Sequence, residues 1–441
     1  MAGPESSLAN RLAAAAAALT GAVAGPGAAD LLRYLGYDDS DAGAAAGRAR
    51  LLRAATVFHR LFRMPVPDAP GLVFFGAEAD PAALGPHAEG LPLGGFAGSG
   101  LDPRRAFESC VGEGIEYLSQ FAQPDDPLNA GTIDAFGEGL DPAALGFVEA
   151  VFSACGVAAD RAIDWMPVQR LTDAAACWFP ADLCVRRAAR DFVPTLKLST
   201  GCAAGVTREA ATLRGMLELI ERDAVALWWR GGRRGRAIGP DSEAGHAAAM
   251  LLKQLRCGQG DRQASLLDIS TDLGVPVMAA FSARPDGHGF ALGLGARTSP
   301  SEAARSAIFE MCQSELSLHV IAAKRRESGE AALNESDLRQ LARAATLDTS
   351  TCPLLWPGDE AAVPPAMLAG DKLDAITQLL AERGIIAYSL DLTRPRFGVP
   401  VVRVLAPGLQ SEPCEIIGER LARAITQTGG GSKHSHGIAL L

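Results

Sequence analysis

Glu218, Glu221 and Arg222 are where the residue types of this chain first suggest chemistry. Two carboxylates three positions apart share one side of a helix, and a guanidinium follows the second. Two like charges one turn apart repel, so a cation is a sensible third party. The spacing recurs: Glu113 with Glu116, and Glu310 with Gln313, are also three apart. Eleven residues before Glu113, Glu218 and Glu310 stand Asp102, Thr207 and Ser299. Each is a side chain that accepts an orphan N–H at a helix start. Pro103 and Pro300 follow two of them, at the helix position where proline costs least. Ala106, Ala211 and Ala303 lie seven before the glutamates; Cys110, Gly215 and Ala307 lie three before. One acidic pair on a helix is ordinarily a solvated face. Three copies at one distance from a cap point instead to carboxylates gathered for a hard cation. Mg²⁺ takes oxygen ligands and is typically shared between carboxylates and phosphates, and the donor fork of Arg222 suits a phosphate oxygen.

The elements that position these groups are three capped helices. Before the second lies Ser199–Gly205, a run of small residues that lets backbone approach a ligand. Leu213, Met216, Leu217 and Ile220 then fall at helical spacing and predict one buried face. A period of roughly a hundred residues is too long for a solenoid and indicates three related helix-on-sheet substructures in one large α+β domain. Strands are expected at 163–167, 177–180, 266–268, 275–282, 290–294, 385–391 and 399–404. Gly94–Gly100 reads as a flexible glycine loop, and without a following GK[ST] it is no Walker A sequence. Residues 1–90 are expected to form a helical accessory segment with one strand at Val73-Phe74-Phe75. Residues 91–425 form the main domain, 331–370 is loop-rich, and 426–441, with His434 and His436, is a flexible tail.

Composition narrows the function. With 441 residues and 48% hydrophobic ones, the chain can bury a sizeable core. A net charge of −10 without a dense basic, aromatic-interleaved run excludes nucleic acid as a partner. Nine cysteines without a CxxC pair read as reduced thiols of a cytoplasmic protein and argue against structural zinc; Cys202, in the small-residue loop, is the exception to watch. The alanine-rich Leu12–Val23 is an amphipathic helix rather than an export signal, and no run is apolar enough to span a membrane.

Ser199-Thr200-Gly201-Cys202-Ala203-Ala204-Gly205, followed by Glu218-Leu219-Ile220-Glu221-Arg222-Asp223-Ala224, resembles the signature of the YcaO family. Gly112-Glu113-Gly114-Ile115-Glu116-Tyr117 resembles its first acidic motif, and Ala307-Ile308-Phe309-Glu310-Met311-Cys312-Gln313 its third. Asp164–Pro167, Phe179–Leu183, Asp391–Thr393, Val399–Val404 and Pro407–Leu409 extend the likeness over about 94–410. The resemblance implies an enzyme that uses ATP and Mg²⁺ to phosphorylate the oxygen of a peptide backbone amide. Attack by a neighbouring Cys, Ser or Thr then yields an azoline in a ribosomally made peptide; attack by external sulfide yields a thioamide. It further implies that Glu113, Glu116, Glu218, Glu221 and Glu310 hold the metal, and that Ser199, Thr200, Arg222 and Gln313 contact the nucleotide. Glu221 and Arg222 are then the catalytic pair. The implied partners are a precursor peptide and a separate leader-binding or activating protein. A nucleotide-binding scaffold without activity is the alternative, and a homodimer is one assembly open to the chain. Three positions depart from the family pattern: Tyr117 stands where Arg is common, Ser306 where a basic residue is common, and the chain ends Gly-Ile-Ala-Leu-Leu where azoline-forming members commonly end in a proline-rich tail.

Overall fold

Three antiparallel sheets frame the molecule. The computed structural model describes residues 7–37, 42–358 and 371–441, so part of the segment expected to be loop-rich, 359–370, lies outside the described residues. The first sheet runs Arg60–Met64, Val73–Ala79, Gly94–Gly100. The second has six strands: Asn129–Gly131, Ile163–Arg170, Tyr388–Asp391, Val401–Leu405 and Cys202–Ala204 in spatial order, with Ala176–Pro180 also on Ile163–Arg170. The third runs Ala291–Ala296, Val277–Ala283, Gln263–Asp268, Arg236–Ala237. Strands 94–100, 202–204 and 291–296 are thus each the outermost strand of a sheet.

The three expected helices are present as Pro103–Ser119, Arg208–Trp229 and Pro300–Ser328. Their caps act as the spacing predicts. Asp102 Oδ1 accepts from the N–H of Arg105 at 3.0 Å, Thr207 Oγ1 from Ala210 at 3.1 Å and Ser299 Oγ from Glu302 at 3.3 Å. The third helix runs to Ser328 and places Arg325 and Arg326 in its last turn, where the dipole favours cations. Helices Glu243–Arg256, Glu335–Thr346 and Glu419–Thr428 were not legible beforehand; the first buries little beyond Ala244, Ala248, Leu251 and Leu255, too weak an apolar stripe in so alanine-rich a chain.

Gly94–Gly100 is a strand and not a flexible loop. Its buried positions alternate, the period of a strand with one face inward. The glycines are there because a helix backbone lies directly on them. A Cβ on Gly98 would fall 2.1 Å from the Cys110 nitrogen, and one on Gly293 2.1 Å from both the Ala307 oxygen and the Met311 nitrogen.

Two boundaries need correcting. Strands 60–64 and 73–79 pair with 94–100, so the first sheet straddles residue 90, and Phe58 packs on Phe96 with ring centroids 5.3 Å apart. Only the helices Leu8–Ala18, Pro26–Tyr34 and Ala42–Ala55 form a helical appendage, and it shares a core with the first motif helix. The tail expected to be flexible is folded in. Trp229 Nε1 donates to the Ile438 carbonyl at 2.7 Å, Arg343 donates to the Leu440 carbonyl, and Leu440 is buried. The apolar Ile438, Leu440 and Leu441 join the core around the second motif helix.

Candidate active site

At the junction of the three sheets, each motif glutamate accepts a hydrogen bond from a backbone N–H on or beside an edge strand. The first glutamate of each helix reaches back to the strand or loop just before it. Glu113 accepts from Ala97 at 3.1 Å, Glu218 from Gly201 at 3.1 Å and Glu310 from Leu294 at 3.0 Å. The second acidic or amide group reaches forward to the next sheet. Glu116 accepts from Ala204 of the second sheet at 2.7 Å and Glu221 from Ala296 of the third at 3.0 Å. Gln313 Nε2 donates to Ser99 Oγ of the first sheet at 2.7 Å, which closes the cycle. An edge strand presents unpaired N–H groups, and an acceptor one helix turn further along the motif meets the neighbouring sheet. Helix and strand can lie close enough for this because glycines face the helix backbone.

Electrostatics follow from crowding. Withdrawal from bulk water pushes the Glu116 carboxyl up to about 8, against the pull of the Ala204 N–H, and the fields of Glu113 and Glu218 add to the rise. Glu113, although accessible from the junction, lies deep among protein atoms, and the same loss of water pushes it up to about 7. Glu310 also rises to about 7, through burial and then the charge of Glu221, and burial raises Glu218. Arg222 lies 3.4 Å from Glu218 and 3.8 Å from Glu221. Burial disfavours its charge, but the fields of Glu221, Glu218 and Glu310 outweigh that and hold it firmly protonated. Its Nε is buried and has no hydrogen-bond partner among the described residues. One guanidinium thus stands among carboxylates with a donor to spare.

These groups fit Mg²⁺ by their chemistry. All are oxygen donors, and their raised proton affinity marks a surplus of negative charge that a cation relieves. Among the described residues no three His, Cys, Asp or Glu side chains converge as a ready-made metal cage.

The remaining expected site residues are placed as follows. Thr200 is 4% exposed, next to the Gly201 N–H that holds Glu218, while the Ser199 carbonyl accepts from Cys202 at 3.0 Å and shapes that turn. Cys202 is buried, free and pushed well above its ordinary thiol range by burial, so it is a neutral core thiol. Tyr117 donates to the Pro92 carbonyl at 2.7 Å, and the Arg186 guanidinium lies 5.7 Å from its ring centroid. A cation from a different segment therefore stands near the position where the family commonly carries Arg. Three further residues were not singled out from the sequence: Arg214, which donates to the Ala204 carbonyl at 3.1 Å, Ser99 and Arg403. Arg403 had a signal, a charge inside the apolar run Val399–Val404.

Fold and site define a class: an α+β protein whose acidic junction suits a metal-bound polyphosphate. The family model described as YcaO cyclodehydratase, ATP- and Mg²⁺-binding, matches residues 97–410, and the chain belongs to the YcaO family. ATP and Mg²⁺ are accordingly its cofactors. An uncharacterized protein of Methanothermobacter thermautotrophicus is 27% identical over 368 residues, 78% of this chain and 89% of its own. A heterocyclase solved in complex with substrate and cofactor superposes with a TM-score of 0.65 at 24% identity, over 85% of this chain and 53% of its own; the chain thus spans about half of that protein's length. YcaO from Methanopyrus kandleri, bound with AMPPCP and Mg²⁺, has a TM-score of 0.56 at 20% identity over 87% of this chain and 91% of its own. At these identities the solved structures show a shared fold. No helix among the described residues is long and apolar enough to cross a membrane.

Proposed function

We propose that this protein uses ATP and Mg²⁺ to phosphorylate the oxygen of a peptide backbone amide as a neighbouring Cys, Ser or Thr side chain adds to its carbon, so that the chain closes an azoline ring. The observation that supports the reading most is the closed cycle of contacts that the three motif helices make, with Arg222 beside Glu218 and Glu221 and its buried Nε without a partner among the described residues. Phosphoryl transfer asks little covalent chemistry of a protein and much positioning and charge neutralisation. Bound metal would supply the neutralisation of phosphate charge, with Glu113, Glu116, Glu218, Glu221 and Glu310 to hold it. Arg222 would take a phosphate oxygen beside Glu221, and Ser199, Thr200 and Gln313 would line the nucleotide. The substrate is a precursor peptide, delivered or activated by a separate protein, and the helical appendage at residues 8–55 offers that partner a surface.

ATP consumption by the purified protein with Mg²⁺, precursor peptide and partner protein, read with the peptide mass in parallel, tests this. A loss of about 18 Da marks azoline formation, and a gain of about 16 Da that requires sulfide marks oxygen-to-sulfur exchange by the same amide-activating site. ATP binding without consumption in any combination would leave a scaffold.

A further inference from the structure

Arg403 lies on strand Val401–Leu405, opposite Cys202 of the edge strand. It is 1% exposed, and its Nε and Nη1 have no hydrogen-bond partner among the described residues. Its charged surroundings compensate it little: the neighbouring thiols of Cys184 and Cys202 stay neutral, Arg186 is a second cation, and the field of Glu218 is weaker than these. A buried, unpaired cation is among the costliest features a fold can carry. It faces a small cavity of about 40 Å³ lined by Thr200, Leu219 and Gln410, with half-buried Phe147, Leu196 and Ser411 at its rim. That volume takes a group of a few heavy atoms, since a single water needs only about 10–15 Å³ on this measure. Thr200 and Leu219 flank the Gly201–Glu218 hydrogen bond in sequence, so the cavity adjoins the acidic junction. Another cavity, about 250 Å³ between helix 243–256 and the third sheet, is lined by apolar residues, Gly245 and Ser265 and offers no charged donor.

We propose that this cavity is the subsite for the oxygen of the substrate amide, and that Arg403 is the catalytic residue that donates to it. The assignment rests on the amide-activation reading above. As a thiol, hydroxyl or sulfide adds to the amide carbon, its lone pair makes the new bond and its proton leaves to solvent base. The C=O π pair moves onto oxygen, where the guanidinium of Arg403 receives the charge. That oxygen then bonds to the γ-phosphorus of ATP as the bond to ADP breaks. Apolar walls strengthen such donors by excluding water.

The test replaces Arg403 by Met in the full chain, with Arg403→Lys as a companion. Arg403→Met is expected to melt no lower than the parent without ligands, because it removes an uncompensated charge, and to bind ATP with Mg²⁺ within about threefold of the parent. Its peptide-dependent ATP consumption is expected to fall by about 10²–10³, the usual loss of an oxyanion donor, with Arg403→Lys in between. N-methylacetamide, a minimal amide, is expected to raise the melting temperature of the parent and not of Arg403→Met. A variant that melts several degrees lower makes Arg403 a structural group and overturns the proposal, as does peptide turnover at the parental rate. Stabilisation by acetate or chloride but not by the amide makes the cavity an inorganic-anion site, which also overturns it. If the parent itself consumes no ATP with peptide, the amide-activation reading fails, and the amide arm alone then decides whether the cavity binds a carbonyl.

Discussion

Glu218 is the residue on which the site is most dependent, because it holds the Gly201 N–H, pairs with Arg222 and adjoins Glu221. Glu218→Ala is expected to abolish turnover, by about 10²-fold or more, while the fold stays intact; unchanged modification of the peptide by that variant would sink the metal-site assignment. The raised carboxyls also give the metal-free protein a pH signature. Glu113, Glu116 and Glu310 rise from an ordinary value of 4.5 to about 7, 8 and 7. Between those limits the folded chain binds more protons than the unfolded one, so this contribution is fully present below pH 4.5 and is lost as pH rises through 7 and 8. The melting temperature of metal-free protein is expected to fall from pH 5.5 to 8.5, more steeply in the parent than in Glu116→Gln. ATP with Mg²⁺ is expected to flatten the slope, since metal binding displaces those protons. Equal slopes in parent and variant, followed by differential scanning fluorimetry, would rule out the shift at Glu116.

At the scale of elements, the motif is a strand, a cap and a helix that lies face-down on strand glycines. The contact leaves no space for a methyl group at Gly293, where a Cβ would overlap the backbone of both Ala307 and Met311. Gly293→Ala is expected to cost about 1–3 kcal/mol or more, as overpacking does, and to loosen ATP binding by moving Glu310 away from the Leu294 N–H. Chemical denaturation and calorimetry check the two effects; a variant as stable as the parent would mean that helix and strand are not in that contact. The caps, the helices and the repeated spacing were legible because they are local: a hydroxyl or carboxylate reaches an N–H three residues on, and side chains three or four apart share a face. Gly94–Gly100 was not legible as a strand, because its glycines answer to a helix backbone packed on it after the turn, and nothing in seven residues of local propensity records that.

For the whole molecule, an ion cluster around the buried Asp223 ties the central helix to the C-terminal region. Arg420 pairs with Asp223 at 2.9 Å and Asp272 at 2.7 Å, and Asp223 is 0% exposed and also accepts from the Gln410 N–H at 2.9 Å. Arg420→Met strands a buried carboxylate and is expected to destabilise the fold by about 3–5 kcal/mol. Pairing it with Asp223→Asn should recover part of the loss, and a single variant with parental stability in urea would show the cluster to be dispensable. Because Gln410 and Ser411 line the Arg403 cavity, loss of this cluster is also expected to depress turnover beyond what the lost stability explains.

What the sequence by itself determined is the set of groups and their local frame: the acidic pairs, Arg222, the three caps, the apolar faces of the helices and the family signature, all of which depend on residues within a few turns of one another. Only the tertiary structure decided how those groups meet. Glu116 with Ala204, Glu221 with Ala296 and Gln313 with Ser99 join residues 88, 75 and 214 positions apart; the first two partners are backbone N–H groups, which every non-proline residue carries and no motif can single out, and the third is a serine hydroxyl. The same holds for Arg403. Its charge stands out in an apolar strand, but that its Nε and Nη1 lack a partner among the described residues follows from what the fold places around it.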